Sequence, residues 1–311
     1  MALGMPGTEQ PGESEGNNLT HFCPVLMNTR AGAMHVPAGQ EQLRRMAKDV
    51  DLDIDIIHTE SPEDMTKALQ TLVAGGAERV GIAGGDGTVR LAVQTLAHSN
   101  TALGILSQGT FNNFASTLRV PHNLPAALRM LRDGVVQEVD LGKVGDKYFT
   151  ESAGVGLFAD ALALYGQGSN KNFLRGLYAT ARLGLAFEAR EMQIIVDGVE
   201  YPRRVTLCEV ANTYRIAQAV PIAPEADLAD GLLDVVMLCD LTRRELPSYL
   251  RALRAQMHLG LPKVTTLRGR EIRIESRHRC NVHADDQVVG VTPLTITVDP
   301  KALKVLVDPR L

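Results

Sequence analysis

From Phe22 to Asp133 the apolar positions switch between a period of two and a period of about 3.6. Phe22–Met27 is an apolar run closing at Asn28, which predicts a buried strand. Across Ala38–Val50, Leu43, Met46 and Val50 recur at helical spacing. Leu52–Ile57 then alternates Leu52, Ile54 and Ile56 with polar neighbours, a strand signal. The next helix is punctuated at both ends. Ser61 can cap it, Pro62 suits its first turn, Asp64 sits near the positive end of its dipole, and Gly75-Gly76 stops it. Met65, Leu69, Leu72 and Val73 form its apolar stripe. A strand over Arg79–Ala83, a turn over Gly84–Thr88 and a helix with Val89, Val93 and Leu96 on one face come next. Strand Leu103–Leu106, a second turn and two helices ending at Asp133 follow. Strands separated by helices of this length predict a parallel sheet with helices on its faces.

Beyond Val135 the pattern changes. Short β-rich runs occupy Gln137–Lys143, Lys147–Thr150, Met192–Val196, Arg204–Val210, Leu232–Leu238, Glu271–Glu275 and Leu294–Val298. Helical patterns interrupt them near Asn172–Arg190 and Thr242–His258. The expected architecture is an α/β domain with a parallel sheet over residues 21–138 and a second, mostly antiparallel β-sandwich domain over 139–299. Residues 300–311 are expected to return to the first domain, and residues 1–20, rich in Gly, Pro and Glu, to form a flexible tail.

Composition narrows the function classes. Hydrophobic residues make up 45% of the 311 and charged residues 22%, which excludes a disordered or fibrous chain. A net charge of -4 argues against a nucleic-acid partner held by bulk electrostatics. Cys23, Cys208, Cys239 and Cys280 lie far apart with no C-x-x-C pair, a usage that fits a reducing compartment. The longest apolar run, Ala153–Tyr165, carries Asp160 and falls short of the roughly 18 residues a membrane span needs. The N-terminus has no basic stretch before an apolar one, so it reads as neither a signal peptide nor a myristoylation site. A cytoplasmic location is expected.

Three polar turns follow successive strands. Gly84-Gly85-Asp86-Gly87-Thr88 lies at the carboxyl end of a parallel strand, where open α/β sheets bind ligands. Its glycines let the backbone approach a polyphosphate, the following helix N-terminus offers N–H groups to an anion, and Thr88 adds a hydroxyl. Asp86 would repel phosphate, which suits it instead to a magnesium contact or to a general base for an attacking hydroxyl. Gly109-Thr110-Phe111-Asn112-Asn113-Phe114 repeats the arrangement after the next strand, and Asn28-Thr29-Arg30-Ala31-Gly32 closes the first strand in the same fashion. Together the three would line one edge of a cleft, although each alone also serves as a capped glycine turn.

Other patterns carry less. No Walker A sequence occurs, and Gly154-Val155-Gly156-Leu157-Phe158-Ala159 matches a loose dinucleotide fingerprint outside any first βαβ unit. His278, Cys280 and His283 lie in an apparent strand pair, where alternate residues face opposite ways, which favours a structural role over a metal site. Asp285-Asp286 can be cation ligands or turn formers. The oxygen-rich loop Pro224–Leu232 suits a hard cation or a solvated turn. From Thr242 to Arg279 ten Lys and Arg stand against three Glu. Thr242 and Glu245 form a capping-box pattern, and Leu246, Leu250, Leu253 and Met257 share a helical face beside Arg243, Arg244, Arg251 and Arg254. That basic helix would meet either anionic lipid headgroups or water.

Taken in order, several of these motifs resemble the diacylglycerol kinase catalytic-domain family. They are the Asn28–Gly32 turn, GGDGT at Gly84–Thr88, G-T-x-N at Gly109–Asn112, Val139-Asp140-Leu141-Gly142, Gly154-Val155-Gly156, and the stretch from Ile222-Ala223-Pro224 to Asp230-Gly231-Leu232-Leu233-Asp234. The resemblance runs from about Phe22 to the C-terminus. It implies an ATP-dependent lipid kinase, passing the γ-phosphoryl group to a hydroxyl of a diacylglycerol-like or sphingoid lipid in a cleft between the two domains. Asn28, Gly32, Thr59, Gly84, Gly85, Asp86, Gly87, Thr88, Val89, Arg90, Gly109, Thr110 and Asn112 would then fall at ATP-binding positions. Asp230, with backbone oxygens of Asp227 and Leu232, would match a structural Mg2+ site. Asp86, Asp285 and Gln287 would stand at catalytic positions. The protein would be peripherally associated with a membrane surface, with a homodimer left open.

Three positions depart from the family pattern. Arg90 stands where Asn is common, Asn113 where many members have Asp, and the late D-G-E reads Asp285-Asp286-Gln287. A neutral amide at Gln287 cannot accept a proton. Either Asp86 or one of the two aspartates serves as base, or the chain is a catalytically impaired pseudokinase that binds lipid and nucleotide. GGDGT is shared with NAD kinases, which keeps phosphorylation of NAD as a further reading.

Overall fold

The computed structural model describes residues 21–28, 37–165, 188–216 and 220–309. Gly32, the expected tail over residues 1–20 and most of the helical pattern at Asn172–Arg190 lie outside the described residues. Four parallel strands, β1 (His21–Asn28), β2 (Leu52–Thr59), β3 (Arg79–Gly84) and β4 (Ala102–Ser107), pair in the spatial order β2-β1-β3-β4. Helices α1 (Pro37–Lys48), α2 (Pro62–Ala74), α3 (Asp86–Leu96), α4 (Asn113–Thr117) and α5 (Leu124–Asp133) connect and cover them. The punctuation of α2 is reciprocal: Ser61 Oγ accepts the Asp64 N–H at 3.0 Å, and the Asp64 carboxylate accepts the Glu60 N–H at 3.0 Å. Leu26, Ile82, Leu103 and Leu106 are buried under Leu69, Val93 and Leu128 in the core of this half.

Eleven further strands build the second half and its junction. They are β5 (Val135–Val144), β6 (Lys147–Phe149), β7 (Ser152–Gly156), β8 (Arg190–Val196), β9 (Val199–Ala211), β10 (Leu233–Cys239), β11 (Val264–Gly269), β12 (Glu271–Ser276), β13 (Asn281–Ala284), β14 (Gln287–Val291) and β15 (Leu294–Val307). They pair antiparallel with one another in a sandwich-like arrangement whose interior holds Val155, Ile194, Cys208, Val235, Ile272 and Val282. Outside it, α6 (Leu157–Tyr165) and α7 (Leu246–Arg254) pack against Leu207, Val236 and Leu238.

Strands β5 and β15 run through both halves. Val144 faces Ile296 at one end of the pair and Val135 faces Val307 at the other, while Val305 pairs parallel with Leu103 of β4. Register breaks between Asp299 and Leu303, where Pro300 has no N–H to give and Asp140 Oδ1 accepts the Lys301 N–H at 2.8 Å. The strand expected to stop at Val298 therefore continues to Val307.

Other expectations shift for more local reasons. Gly156, at φ 95°, turns β7 straight into α6, so Ala153–Tyr165 is a strand followed by a helix. Helix α3 opens at Asp86, so Asp86, Gly87 and Thr88 form its first turn and not a loop before it. At α7 the Glu245 carboxylate accepts the Thr242 N–H at 2.9 Å, as a capping box requires. The Thr242 hydroxyl, however, donates to that carboxylate at 2.7 Å, and the helix starts only at Leu246. Of the expected apolar face, Leu246 and Leu253 are buried together with Tyr249, whereas Leu250 and Met257 are 41% and 71% exposed.

Candidate active site

Register brings the turns to one edge of the parallel sheet. Asn28 lies beside Thr59 and Gly84 beside Ser107, so β1 to β4 all end on the same side. The two glycine turns touch. A Cβ on Gly85 would stand 3.0 Å from Gly109 Cα, and one on Gly109 would stand 2.7 Å from Gly85 Cα, so this contact excludes side chains. Asn112, left-handed at φ 50°, folds its amide onto Gly109, accepting from the N–H at 2.9 Å and donating to the carbonyl at 2.8 Å. Asp86 ties the turns together: its two oxygens accept the N–H groups of Asn112 at 3.0 Å and Asn113 at 2.8 Å. A carboxylate of α3 thus caps α4 at the positive end of its dipole. Beside these turns, Ser107 Oγ and both polar atoms of the Gln108 side chain are buried without a hydrogen-bond partner among the described residues. Such atoms are costly unless something satisfies them.

The opposing wall comes from the segment between β6 and β7 and from the β13–β14 turn. Asn113 Nδ2 donates to Glu151 Oε2 at 2.9 Å, and Arg90 pairs with Asp286. Asp285, left-handed at φ 49°, accepts the N–H groups of Thr150 at 3.1 Å and Glu151 at 2.8 Å and the Thr150 hydroxyl at 3.3 Å. Burial pushes the Asp285 carboxyl above the usual carboxylate range, against the pull of those N–H groups and of Arg90. Behind it, His283 and Glu209 form a fully buried pair at 2.9 Å, and Ser152 Oγ donates to Glu209 at 3.1 Å. Burial, the largest single effect, lowers His283, but the Glu209 carboxylate together with the carbonyl and charge of Asp285 outweighs it, and the imidazole stands above its ordinary value.

The remaining expected residues divide. Thr59 is 2% exposed with Oγ1 3.4 Å from the Met27 carbonyl, and the Val89 side chain lies in the core, so only its backbone can face a ligand. Thr88 and Arg90 are partly exposed, Gly87 and Thr110 are exposed, and Gln287 opens β14 opposite Ala284. The acidic side chains of the loop expected to hold Mg2+ have partners within the chain. Asp227 Oδ1 accepts the Ala229 N–H at 3.0 Å and Asp230 Oδ1 the Leu232 N–H at 2.9 Å. The other Asp230 oxygen is taken by Arg268, whose Nε lies 3.3 Å from Asp234. A guanidinium thus lies against the carboxylate that the resemblance assigns to Mg2+. No cluster of three or more His, Cys, Asp or Glu side chains among the described residues is placed to hold a metal.

Residues 23–144 match the diacylglycerol kinase catalytic domain, and residues 153–307 match the YegS C-terminal NAD kinase beta sandwich-like domain. A diacylglycerol kinase of Mycobacterium tuberculosis is 31% identical over 257 residues, 78% of this chain and 81% of that one. The chain belongs to the diacylglycerol kinase catalytic-domain family. A second relative, a diacylglycerol kinase of Staphylococcus carnosus, is 24% identical over 286 residues, 86% of this chain and 91% of the relative. The crystal structure of a diacylglycerol kinase from Bacillus anthracis shares the fold, with a TM-score of 0.71 at 21% identity over 94% of this chain and 98% of that one. Membership in the diacylglycerol kinase family supports a kinase, a phosphoryl transferase, in general terms.

For a diacylglycerol kinase family member, the departures of this chain have an ordered arrangement. Arg90 meets Asp286, and Asn113 meets Glu151. Arg90, Asn113, Asp286 and His283 stand out in the sequence, whereas Glu151, Gln108 and Glu209, the partner of His283, belong to no motif there. The one signal available for Glu151 is a charged residue heading the small and apolar run Ser152–Gly156.

Proposed function

We propose that this chain is an ATP-dependent lipid kinase that transfers the γ-phosphoryl group to a hydroxyl of a diacylglycerol-like lipid. The observation that carries this reading is the contact between the Gly85 and Gly109 turns, flanked by the unpartnered Ser107 hydroxyl and Gln108 amide. A backbone surface without side chains at a helix N-terminus suits phosphates, and the buried polar atoms beside it suit the donors and acceptors of a nucleotide. ATP would lie along Gly84–Thr88 and Gly109–Asn112, with Arg90 as the nearby cation. Asp86, with both oxygens on the start of α4, suits a positioning role. Mg2+ enters as part of MgATP, on the nucleotide's own phosphates, and neutralises charge there.

A membrane surface supplies the lipid in this reading. Exposed Leu250 and Met257 stand among Arg251 and Arg254 at α7, and none of Arg243, Arg244, Arg251 and Arg254 has an ion-pair partner among the described residues. A basic helix with exposed apolar side chains suits an anionic interface. No described helix is long and apolar enough to cross a membrane.

The test offers γ-labelled ATP and Mg2+ to the purified protein with diacylglycerol in mixed micelles, with a total lipid extract, or with NAD. Label in a lipid supports the reading. Label in NAD alone replaces it with NAD phosphorylation, and ATP binding with no labelled acceptor replaces it with a pseudokinase.

A further inference from the structure

Five carboxylates gather where the two halves meet: Asp86, Glu151, Glu209, Asp285 and Asp286. All five have partners within the chain. Asp86 caps α4 with both oxygens. Asp285 holds two backbone N–H groups and a hydroxyl. Glu209 is fully buried against His283 and Ser152. Asp286 is paired with Arg90.

Glu151 differs in what positions it. Its own N–H is fixed on Asp285 at 2.8 Å, and its carbonyl accepts the Asn212 N–H at 2.9 Å, so the backbone is held from both sides. Its carboxylate meets the amide of Asn113, the residue whose N–H binds Asp86 at 2.8 Å. The side chain therefore stands against the same helix start that the two glycine turns frame, and only 7% of the residue is exposed. A carboxylate held next to a phosphate cradle and largely shielded from water is well suited to proton transfer, because its orientation is set before the reaction starts.

We propose that Glu151 is the general base of this enzyme, accepting the proton of the acceptor hydroxyl. The inference rests on the lipid-kinase reading above. In the step, the hydroxyl O–H bond breaks and its proton passes to a Glu151 carboxylate oxygen. The hydroxyl oxygen forms its bond to the γ-phosphorus, and the bond from that phosphorus to the bridging oxygen breaks. Its electron pair leaves on ADP, and Glu151 returns its proton to water. Gln287 then needs no proton-accepting role, and its neutral amide is compatible with turnover.

The test uses the full chain with MgATP and diacylglycerol in mixed micelles. Glu151→Gln keeps an oxygen to accept from Asn113 and should still bind ATP with wild-type affinity by calorimetry. Its kcat should fall by about 10²–10⁴-fold, the usual range for loss of a general base, and the acid limb of the kcat–pH profile should disappear. A Glu151→Gln enzyme with near wild-type kcat, or a slowed one that keeps the acid limb, overturns the proposal while leaving the lipid-kinase reading intact. Wild-type protein that binds ATP but labels no lipid overturns that reading itself. Should Glu151→Gln fail to fold, Glu151→Asp decides: a slower kcat with a displaced acid limb supports the proposal, and an unchanged profile overturns it.

Discussion

Arg90, one helical turn into α3, reaches Asp286 in the β13–β14 turn and so joins the edge of the glycine turns to the opposite wall. The side chains are 21% and 46% exposed, which places the pair among ion pairs that water screens. A double-mutant cycle with Arg90→Asn and Asp286→Gly should give a coupling of about 0.5–1 kcal/mol in urea unfolding, diminishing at high salt. A coupling of several kcal/mol would mean the pair is far better shielded than its exposure indicates.

The Glu209–His283 pair has the opposite character, with both side chains fully buried. Because the folded pKa of His283 lies above its ordinary value, the stability it contributes is fully present below the unfolded pKa of about 6.5 and is lost as pH rises through the raised folded value. The stability of wild type relative to the Glu209→Gln/His283→Gln double variant should therefore fall with rising pH in that window. His283→Leu alone strands a buried carboxylate and should cost about 3–5 kcal/mol. Chemical unfolding across a pH series checks both statements.

Arg268 neutralises Asp230 and Asp234, and burial already raises the Asp234 carboxyl above the usual range. In the absence of nucleotide, Mg2+ and a chelator should leave the thermal midpoint of the wild type unchanged. Arg268→Met should lower stability by about 1 kcal/mol, a figure kept small by the 40% exposure of the arginine. Added Mg2+ should then restore part of the loss, because the acidic loop has regained room for a cation. A wild-type midpoint that rises with Mg2+ would contradict this account.

Gly109 admits no side chain, since a Cβ there would approach Gly85 Cα to 2.7 Å and Asn112 Oδ1 to 2.7 Å. Gly109→Ala must push the two turns apart, at about 1–3 kcal/mol of stability by analogy with overpacked cores. ATP titration and thermal melting should both register the change, and an unaltered ATP affinity would show that the turns do not hold the nucleotide.

At α7, Arg251→Glu/Arg254→Glu should weaken sedimentation with phosphatidylglycerol vesicles. About 1 kcal/mol per removed cation predicts at least a tenfold loss for the pair. Activity in neutral mixed micelles should be unaffected, since neither residue belongs to the site. Equal binding of the two proteins to anionic vesicles would remove α7 from the membrane contact.

The parallel half is legible in the sequence because each element announces its own ends: Ser61 and Gly75-Gly76 bracket α2, and the glycine turns close β3 and β4. The second half is legible as strands but not as strand lengths. β15 outlives Pro300 because Asp140, on a strand far away in sequence, accepts the Lys301 N–H, and no local window contains both residues. The same reason hides the duties of the acidic residues. Spacing suits Asp86 to acid–base work or cation binding, yet its oxygens cap a helix that begins 27 residues later. Glu151 is invisible until Asn113 and Asp285 are brought to it by other elements. The Arg268 contact of Asp230 is equally hidden, because Arg268 comes from a strand 38 residues further on.

The reach of β15 across both halves orders the birth of the molecule. Val305 completes the edge of the parallel sheet beside Leu103, and the stretch from Leu303 to Val307 lies opposite Val139 to Val135 in the same closing segment. A ribosome must therefore finish nearly the whole described chain before the first half can close its own sheet. Until then the edge of β4 is an open template for stray strands. Fragments ending near residue 144 should accordingly aggregate, and circular permutants that deliver β15 early should fold faster than the natural order of synthesis allows.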